Sequence, residues 1–464
     1  MKKIDVEMPW EINPHVLAIL PCDAYKLSHR LMYPDDTTNL YSVFYARKKT
    51  TKFQTIAWNH KFGKKIILYI LDKFANSVKE LSKETKKNDP ITKLLLEKIT
   101  TVFGFKEFSE NFINCLKKIG QYIFQNNRLP ITVSVRKSDE STPFGKPLIT
   151  ITGRNNIDVS TVWLINYFET IILENIWQFT TSLTIARDYY FLVKDMANKT
   201  CDDSAFIKYQ CHDFSMRGMS SITSAIYSAN AHLHYFNGSD TIIGGNNAQS
   251  VLASEHSVMC ADGKENEFKT YERLINKFPK GILSLVSDSW DLWKVMDEYL
   301  PKLKDKIIKR DGRLVIRPDS GDPIEIICGS KNFSWNNKKT WGVIHYLDHH
   351  FGNTWNSKKY KVLNPKVGII YGDAITYERT KMILENLQKQ KYASSNIVFG
   401  VGASTYQAVT RDTLGFVAKT TALQRKKPHG KKEWINIEKD PTTDHEKKSI
   451  TGRFLNDPDL IKIY

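Results

Sequence analysis

Ile67, Leu71, Phe74, Val78 and Leu81 recur at intervals of three and four, a spacing that predicts an amphipathic helix over residues 64–82. Elsewhere in the first third of the chain the period falls to two. Ile131-Thr132-Val133-Ser134-Val135 and Leu148-Ile149-Thr150-Ile151-Thr152 alternate as half-buried strands do, and the polar Ser/Asp/Pro/Gly stretch between them predicts the loop of a hairpin. Tyr41 to Ala46 has the aromatic and β-branched character of a strand, and Leu164, Phe168, Ile171 and Ile172 mark a long helix leading out of this α+β region.

The texture changes near residue 180. Short apolar runs now alternate with helical patterns, which predicts repeated βα units and parallel strands. Four runs share one design. Ile282 to Val286 ends at Ser287-Asp288-Ser289, Leu314 to Ile316 at Arg317-Pro318-Asp319, Val367 to Tyr371 at Gly372-Asp373, and Ile397 to Phe399 at Gly400-Val401-Gly402. Barrel enzymes place their chemistry on that C-terminal rim and often bind phosphate in the loops after the last strands. One strand ending in an acid is a weak signal, because aspartate is a common helix cap. Four such turns in order, three with an acid and the last rich in glycine, are a much stronger one. Beyond residue 412 the chain becomes polar and Lys-rich; Glu433 to Glu438 reads as a strand returning to the first region, and Thr442 to Ile450 as a loop.

The 464 residues exceed one ordinary domain of roughly 100–200, and 41% are hydrophobic, enough for a large core. The formal net charge of +17 fits either a Lys-rich solvated surface or a field that attracts polyanions such as a pyrophosphate-bearing sugar or nucleic acid. Nucleic acid is the weaker reading: the lysines are scattered in pairs such as Lys48-Lys49, Lys338-Lys339 and Lys426-Lys427, with no zinc-finger spacing or RNP-type signature. Six cysteines stand far apart without a Cys-x-x-Cys pair, so no zinc ribbon or thioredoxin-like site is expected and a reducing, cytoplasmic setting fits. Asp5, Glu7 and Glu11 interrupt any signal-peptide core after Lys2-Lys3, and no apolar run approaches the roughly 20 residues that cross a bilayer, so no membrane partner is expected.

The stretch His212-Asp213-Phe214-Ser215-Met216-Arg217-Gly218, with Asp240-Thr241 further on, is the most informative chemically. A flat heteroaromatic amide needs an aromatic face and an acceptor for its N–H, and a phosphorylated sugar needs an arginine. Gly400 to Ser404 brings backbone N–H groups close to a phosphate because small residues leave room. A helix from Thr405 through Tyr406 and Val409 would add positive N-terminal charge and carry Arg411; a plain strand-to-helix turn is the alternative. Asp373 after Gly372 offers a carboxylate to both hydroxyls of a ribose, or else caps a helix starting near Tyr377. Arg317 and Asp319 flank a proline and either serve a pyrophosphate or amide and a sugar hydroxyl or Mg²⁺, or form an internal ion pair. Asp288 is a second candidate for orienting a metal-bound pyrophosphate, against a structural cap. His256 can donate to pyrophosphate or accept a phosphoryl group, although most such histidines are structural.

These segments, in this order and from Asp23-Ala24-Tyr25-Lys26 to Gly452-Arg453, resemble the nicotinamide phosphoribosyltransferases over nearly the whole chain. The resemblance implies a type II phosphoribosyltransferase of α/β class: an incomplete TIM-like α/β barrel over residues 161–412, with an α+β layer formed by residues 1–160 and the C-terminal segment 413–464. It implies synthesis of nicotinamide mononucleotide and pyrophosphate from nicotinamide and phosphoribosyl pyrophosphate with Mg²⁺, in a homodimer with shared active sites. By position, Phe214 and the partner copy's Tyr25 would sandwich the pyridine ring, and Asp240 would accept the carboxamide N–H. Arg217, His256 and Arg317 would lie along the phosphates, Asp319, Gly372 and Asp373 would hold the ribose, and Gly402, Ala403 and Arg411 the 5′-phosphate. Arg47, Lys419 and Lys439 match the basic residues that the family supplies across the interface, and His256 the histidine it phosphorylates from ATP. Two features depart from the family: Ala403 and Ser404 replace two glycines, which a positive φ would strain, and the stretch from Asp240 to His256 is shorter than in the animal enzymes.

The pyridine nitrogen has a lone pair and no proton to lose, so no general base is needed. The demanding event is departure of pyrophosphate from a carbon that becomes cation-like, and positioning and charge stabilisation dominate. Nicotinate is the alternative substrate. Asp240 argues against it, since a carboxylate facing an amide donor is favourable and one facing nicotinate is repulsive.

Overall fold

A computed structural model describes residues 8–47, 53–154, 159–443 and 448–464. Lys2, Lys3, Asp5, Glu7, the Lys48-Lys49 pair and residues 444–447 of the C-terminal loop lie outside the described residues. The chain divides into two compact units, Met1–Thr181 with Arg411–Tyr464, and Ser182–Thr410.

The first unit is built on a six-stranded antiparallel sheet whose order is Lys432–Asn436, Phe416–Lys426, Thr37–Ala46, Ile149–Gly153, Ile131–Arg136, Leu460–Lys462. Period-two alternation sends Ile131, Val133, Val135, Ile149 and Ile151 into the main core. There they meet the apolar stripe of the helix His60–Lys83, which is capped by Asn59 and carries Ile67, Leu71, Phe74, Val78 and Leu81 inward. The helices Pro90–Phe103 and Lys106–Asn126 add Leu95, Ile99, Phe112, Leu116 and Ile119 to the same core. Ile131–Arg136 and Ile149–Gly153 do pair antiparallel, but the polar stretch between them is not simply a loop: Asp139–Pro143 forms a strand against Thr55–Trp58.

The strand Phe416–Lys426 is the element that the polar composition hides. It pairs with Thr37–Ala46 on one side and Lys432–Asn436 on the other, so its backbone is satisfied on both edges. A register shift between Tyr41 and Ser42 accompanies its mixed pattern. The strand expected over Glu433–Glu438 is Lys432–Asn436.

The second unit holds a seven-stranded parallel sheet in the order Gly238–Ser239, Cys211–Asp213, Ile397–Val401, Val367–Tyr371, Asp311–Arg317, Lys280–Val286, Leu252–Ala253. Val367–Tyr371 is buried throughout, as a central parallel strand covered on both faces must be. Helices such as Glu267–Lys277, Val343–Phe351 and Tyr377–Lys389 alternate with the strands, and the sheet is an incomplete α/β barrel ending in two-residue strands at each edge. Among the described residues no helix is long and apolar enough to cross a membrane.

Candidate active site

Within the second unit, the C-terminal ends of adjacent parallel strands bring Phe214, Asp240, Arg317, Asp319, Gly372 and Asp373 to one rim. Asp213 is the brace beneath it. Its buried carboxylate accepts from the Ser215 N–H at 2.9 Å, the Ser239 hydroxyl at 2.8 Å and the Thr241 hydroxyl at 2.9 Å, while its carbonyl accepts from the Asp240 N–H at 3.0 Å. A fully hydrogen-bonded buried acid fixes the turns on both sides of it.

Those turns aim Phe214 and Asp240. The Phe214 N–H donates to the Val401 carbonyl at 2.9 Å, and the ring lies on bare backbone: a Cβ at Gly400 would stand 2.4 Å from it, and one at Gly372 3.1 Å. Position 400 therefore needs glycine for the ring to lie there, and a side chain at Gly372 would have to push the ring aside by a few tenths of an ångström. Asp240 is half exposed, with Oδ1 held at 2.9 Å by His212 Nε2 and also by the Ser250 hydroxyl, while no bond within the described residues engages Oδ2. Desolvation pulls this carboxyl upward, but the hydrogen bonds from His212 and Ser250 outweigh it and hold it below the ordinary carboxylate value. The His212 ring sits 4.9 Å from the Phe214 ring, so it joins the aromatic floor to the acid.

Asp288 braces the next two turns. Its Oδ2 accepts from the Asp319 N–H at 2.8 Å and from the Ser320 hydroxyl, which ties the two turns together; Oδ1 is buried and unpartnered. Arg317 forms no ion pair with Asp319 among the described residues, and its buried Nε has no partner. Desolvation lowers the Arg317 guanidinium from its ordinary value and Arg217 pushes the same way, against Asp319, Asp240 and Asp288. Burial raises the Asp319 carboxyl, with Asp288 and Asp373 acting in the same direction and Arg317 and His256 against it. Two guanidiniums and four carboxylates thus share one field without neutralising each other pairwise among the described residues. Asp373 is not the helix cap: Thr376 accepts from the Arg379 N–H instead, and the Asp373 carboxylate is exposed. Its neighbour Ala374 has φ 47°, a left-handed backbone rare outside glycine, with its carbonyl held by Arg379 at 2.6 Å. His256 is exposed at the first position of the short helix His256–Cys260, with Nδ1 3.4 Å from the Ser289 hydroxyl.

The Gly-rich turn differs from expectation in two ways. The helix after it is only Ala403–Tyr406, so the helix drawn through Val409 does not form and little N-terminal dipole accumulates. Arg411 opens a separate turn, Arg411–Thr413, in the other unit and pairs with Asp412 at 2.9 Å. The chain leaves the helix early because side chains tether it elsewhere: Thr405 donates to the Ile375 carbonyl at 3.0 Å, and the Tyr406 hydroxyl lies 2.8 Å from Nδ1 of the buried His232. Neither Ala403 nor Ser404 has a positive φ, so replacing glycine causes no strain there. Gly218 approaches Ala403 so closely that a Cβ would stand 2.5 Å from the Ala403 methyl, which brings the Arg217 turn against this loop.

Tyr25, Arg47, Lys419 and Lys439 belong to the first unit. Tyr25 is exposed, its hydroxyl 3.2 Å from Asp23, with Lys26 5.4 Å above its ring. Lys26 is paired with Glu169. Desolvation lowers the Lys419 ammonium from its ordinary value; Glu169 opposes, and Arg47, Lys439 and Lys26 reinforce it. Arg47 Nε is buried without a partner. These cations form a cluster with no ion pair of their own for Arg47, Lys419 or Lys439 among the described residues.

Sequence reading placed His212 and Gly400 in their motifs without seeing what they do, and it missed Ser250. The i, i+2 spacing of His212 and Phe214 across a strand end was a usable sign for the first; nothing local marks Ser250, ten residues beyond its partner.

A model of the nicotinate phosphoribosyltransferase (NAPRTase) family matches residues 209–463. The chain is 52% identical over 460 residues to a Mycoplasma pneumoniae protein named nicotinamide phosphoribosyltransferase, covering 99% of this chain and 100% of the relative. It is 50% identical to the protein of the same name in Mycoplasma genitalium, covering 98% of each. Its fold is similar to the crystal structure of nicotinate-nucleotide pyrophosphorylase from Pyrococcus furiosus, with a TM-score of 0.52 at 13% identity over 100% of this chain and 92% of that one. A full-length match of this strength, together with the strand-end rim, means that the chain belongs to the nicotinate phosphoribosyltransferase family.

Proposed function

We propose that the protein transfers the phosphoribosyl group of phosphoribosyl pyrophosphate to nicotinamide, forming nicotinamide mononucleotide and pyrophosphate in NAD salvage. The observation that carries this reading is that His212 links Asp240, whose Oδ2 is free, to the Phe214 ring, with Arg217 and Arg317 in the same field and without ion pairs among the described residues.

Phe214 supports the pyridine face, and Asp240, kept ionised by His212 and Ser250, accepts the carboxamide N–H. The ring nitrogen attacks the anomeric carbon as the carbon–oxygen bond to pyrophosphate breaks. The bonding pair leaves with pyrophosphate, and no proton moves. Asp319 and Asp373 orient the ribose hydroxyls, Arg217 and Arg317 face the leaving group, and the Gly402-Ala403 turn takes the 5′-phosphate. Among the described residues no three His, Cys, Asp or Glu side chains gather as a metal cage. The unpartnered Asp288 Oδ1, with Asp319 beside it, fits the sparse protein ligation of Mg²⁺, which would supply charge neutralisation of the leaving pyrophosphate.

Two further parts belong to this reading. A second copy of the chain presents Tyr25 to the other ring face, and its Arg47, Lys419 and Lys439, with Arg411, to the phosphates. His256, exposed and close to the charges around Asp319, takes a phosphoryl group from ATP and couples its hydrolysis to synthesis. Mass spectrometry of the product formed from nicotinamide or nicotinate, with and without ATP, tests the proposal. Nicotinamide mononucleotide is the expected product, faster with ATP; faster turnover of nicotinate would reject the amide assignment.

A further inference from the structure

The antiparallel sheet of the first unit has a second face. Its helix-covered side holds the core; on the other side a cavity of about 730 Å³ is lined by residues from all six strands, among them Gln424, Thr152 and Thr132 in the middle, Lys432 at one edge and Lys462 at the other. Five strand spacings give such a trough a span of about 24 Å. Spread along that length, the volume corresponds to a channel roughly 6 Å across.

Its charge is one-sided. Among the described residues four cations line it, Arg154, Lys432, Arg453 and Lys462, and no carboxylate does. Among the described residues none of the four enters an ion pair, although other lysines nearby do: Lys427 pairs with Glu433, and Lys137 with Asp459. The floor is polar and already ordered, with Thr38 donating to Gln424 Oε1 at 2.9 Å and Thr152 to the Leu40 carbonyl at 2.8 Å. The two aromatic residues of the wall do not offer a free face. The Arg453 guanidinium covers the Trp434 ring at 4.3 Å, and Tyr41 is buried, its hydroxyl accepting from the Phe454 N–H at 3.3 Å.

We infer that this trough binds an oligophosphate chain. A narrow channel with cations at both edges and no acid matches a linear anion with charge along its whole length. The absence of a free ring among its walls argues against stacked bases, which single-strand binding surfaces use. The trough shares no residue with the proposed active site, and the inference does not depend on that site's substrate. The chain of phosphates comes either as inorganic oligophosphate or as the tail of a nucleoside triphosphate.

The test is isothermal titration calorimetry of the full-length protein with tripolyphosphate, with ATP and with a short oligouridylate. Lys432→Glu/Lys462→Glu alters two exposed side chains. Lys302→Glu/Lys304→Glu makes the same change in net charge on the exposed face of a helix in the other unit. Saturable tripolyphosphate binding is expected, weakened about tenfold or more by the first pair and little by the second. ATP competing at the trough identifies a nucleotide tail as the source; tripolyphosphate alone identifies the inorganic chain. Equal losses in both pairs, no effect of the first pair, or oligouridylate binding that tripolyphosphate cannot displace would overturn the inference.

Discussion

The two units handle charge in opposite ways. On the rim of the parallel sheet, acids and arginines interleave: Arg317 stands in the field of Asp319, Asp240, Asp288 and Arg217, yet neither arginine forms an ion pair among the described residues. In the antiparallel unit, Lys419 is crowded by Arg47, Lys439 and Lys26, and the nearby carboxylate, Glu169, is already paired with Lys26. A purely cationic cluster recognises anions of any kind. A mixed rim can hold an amide and sugar hydroxyls with its acids while its arginines face phosphate, so discrimination between substrates belongs there. The difference also explains why the acids are braced so heavily: an acid beside an arginine collapses into a bridge unless other bonds hold it, as those from His212 and Ser250 hold Asp240.

Arg317→Ala breaks the mixed rim most severely. Under the proposed function kcat/KM should fall by about 10²–10³, near 3–4 kcal/mol of transition-state stabilisation, mostly in kcat. Lys419→Met should act mainly through KM for the phosphoribosyl donor, by about tenfold, because a distant phosphate is bound equally before and during the reaction. Steady-state kinetics of both variants measures the contrast. Equal changes in kcat for both would erase the division of labour between the two regions.

Asp240 and Asp213 sharpen it at the scale of single residues. Asp240→Ser should cost about 2–3 kcal/mol in kcat/KM for nicotinamide and leave the urea midpoint unchanged, because its carboxylate is half exposed. Asp213→Asn should do the reverse in kind. It disturbs a buried acid with three hydrogen-bond donors and should lower global stability by about 2–3 kcal/mol in urea unfolding. If Asp240→Ser keeps its catalytic efficiency, the acid does not read the amide.

Much of this was legible in the chain. Period and punctuation located four of the seven parallel strands and put acids at the ends of three of them, because a parallel strand buried on both faces is an uninterrupted apolar run that can stop only at a polar turn. The helix His60–Lys83 was visible for the same reason, its stripe being fixed by one core. What stayed hidden depends on contacts far apart in sequence. Phe416–Lys426 looks like surface because its lysines and glutamine occupy a strand that has polar positions between the core ones. The helix after Gly402 was drawn too long because Thr405 and Tyr406 are pulled toward Ile375 and His232, partners that local propensity does not contain. The role of Gly400 as a seat for the Phe214 ring required the pairing of Ile397–Val401 with Cys211–Asp213.

The smallest expected effect separates the two regions by pH. Asp240 has a folded value below its ordinary one, so its ionised form is favoured above the unfolded value and the benefit disappears as pH falls through the folded one. His212→Phe removes a donor that holds it down. Desolvation then acts with less opposition, and the acid limb of kcat/KM for nicotinamide should move upward, by less than about one pH unit. Lys419 responds from the other side. Desolvation and the neighbouring cations make its ammonium easier to deprotonate, so the alkaline limb of donor binding should begin below the usual lysine range. Lys439→Gln relieves one of those charges and should push that limb up while leaving the acid limb where it was. A pH–rate series on the two variants reads both limbs. If His212→Phe moved the alkaline limb, or Lys439→Gln the acid one, the acids of the rim and the lysines of the other sheet would be acting as one titrating group rather than two.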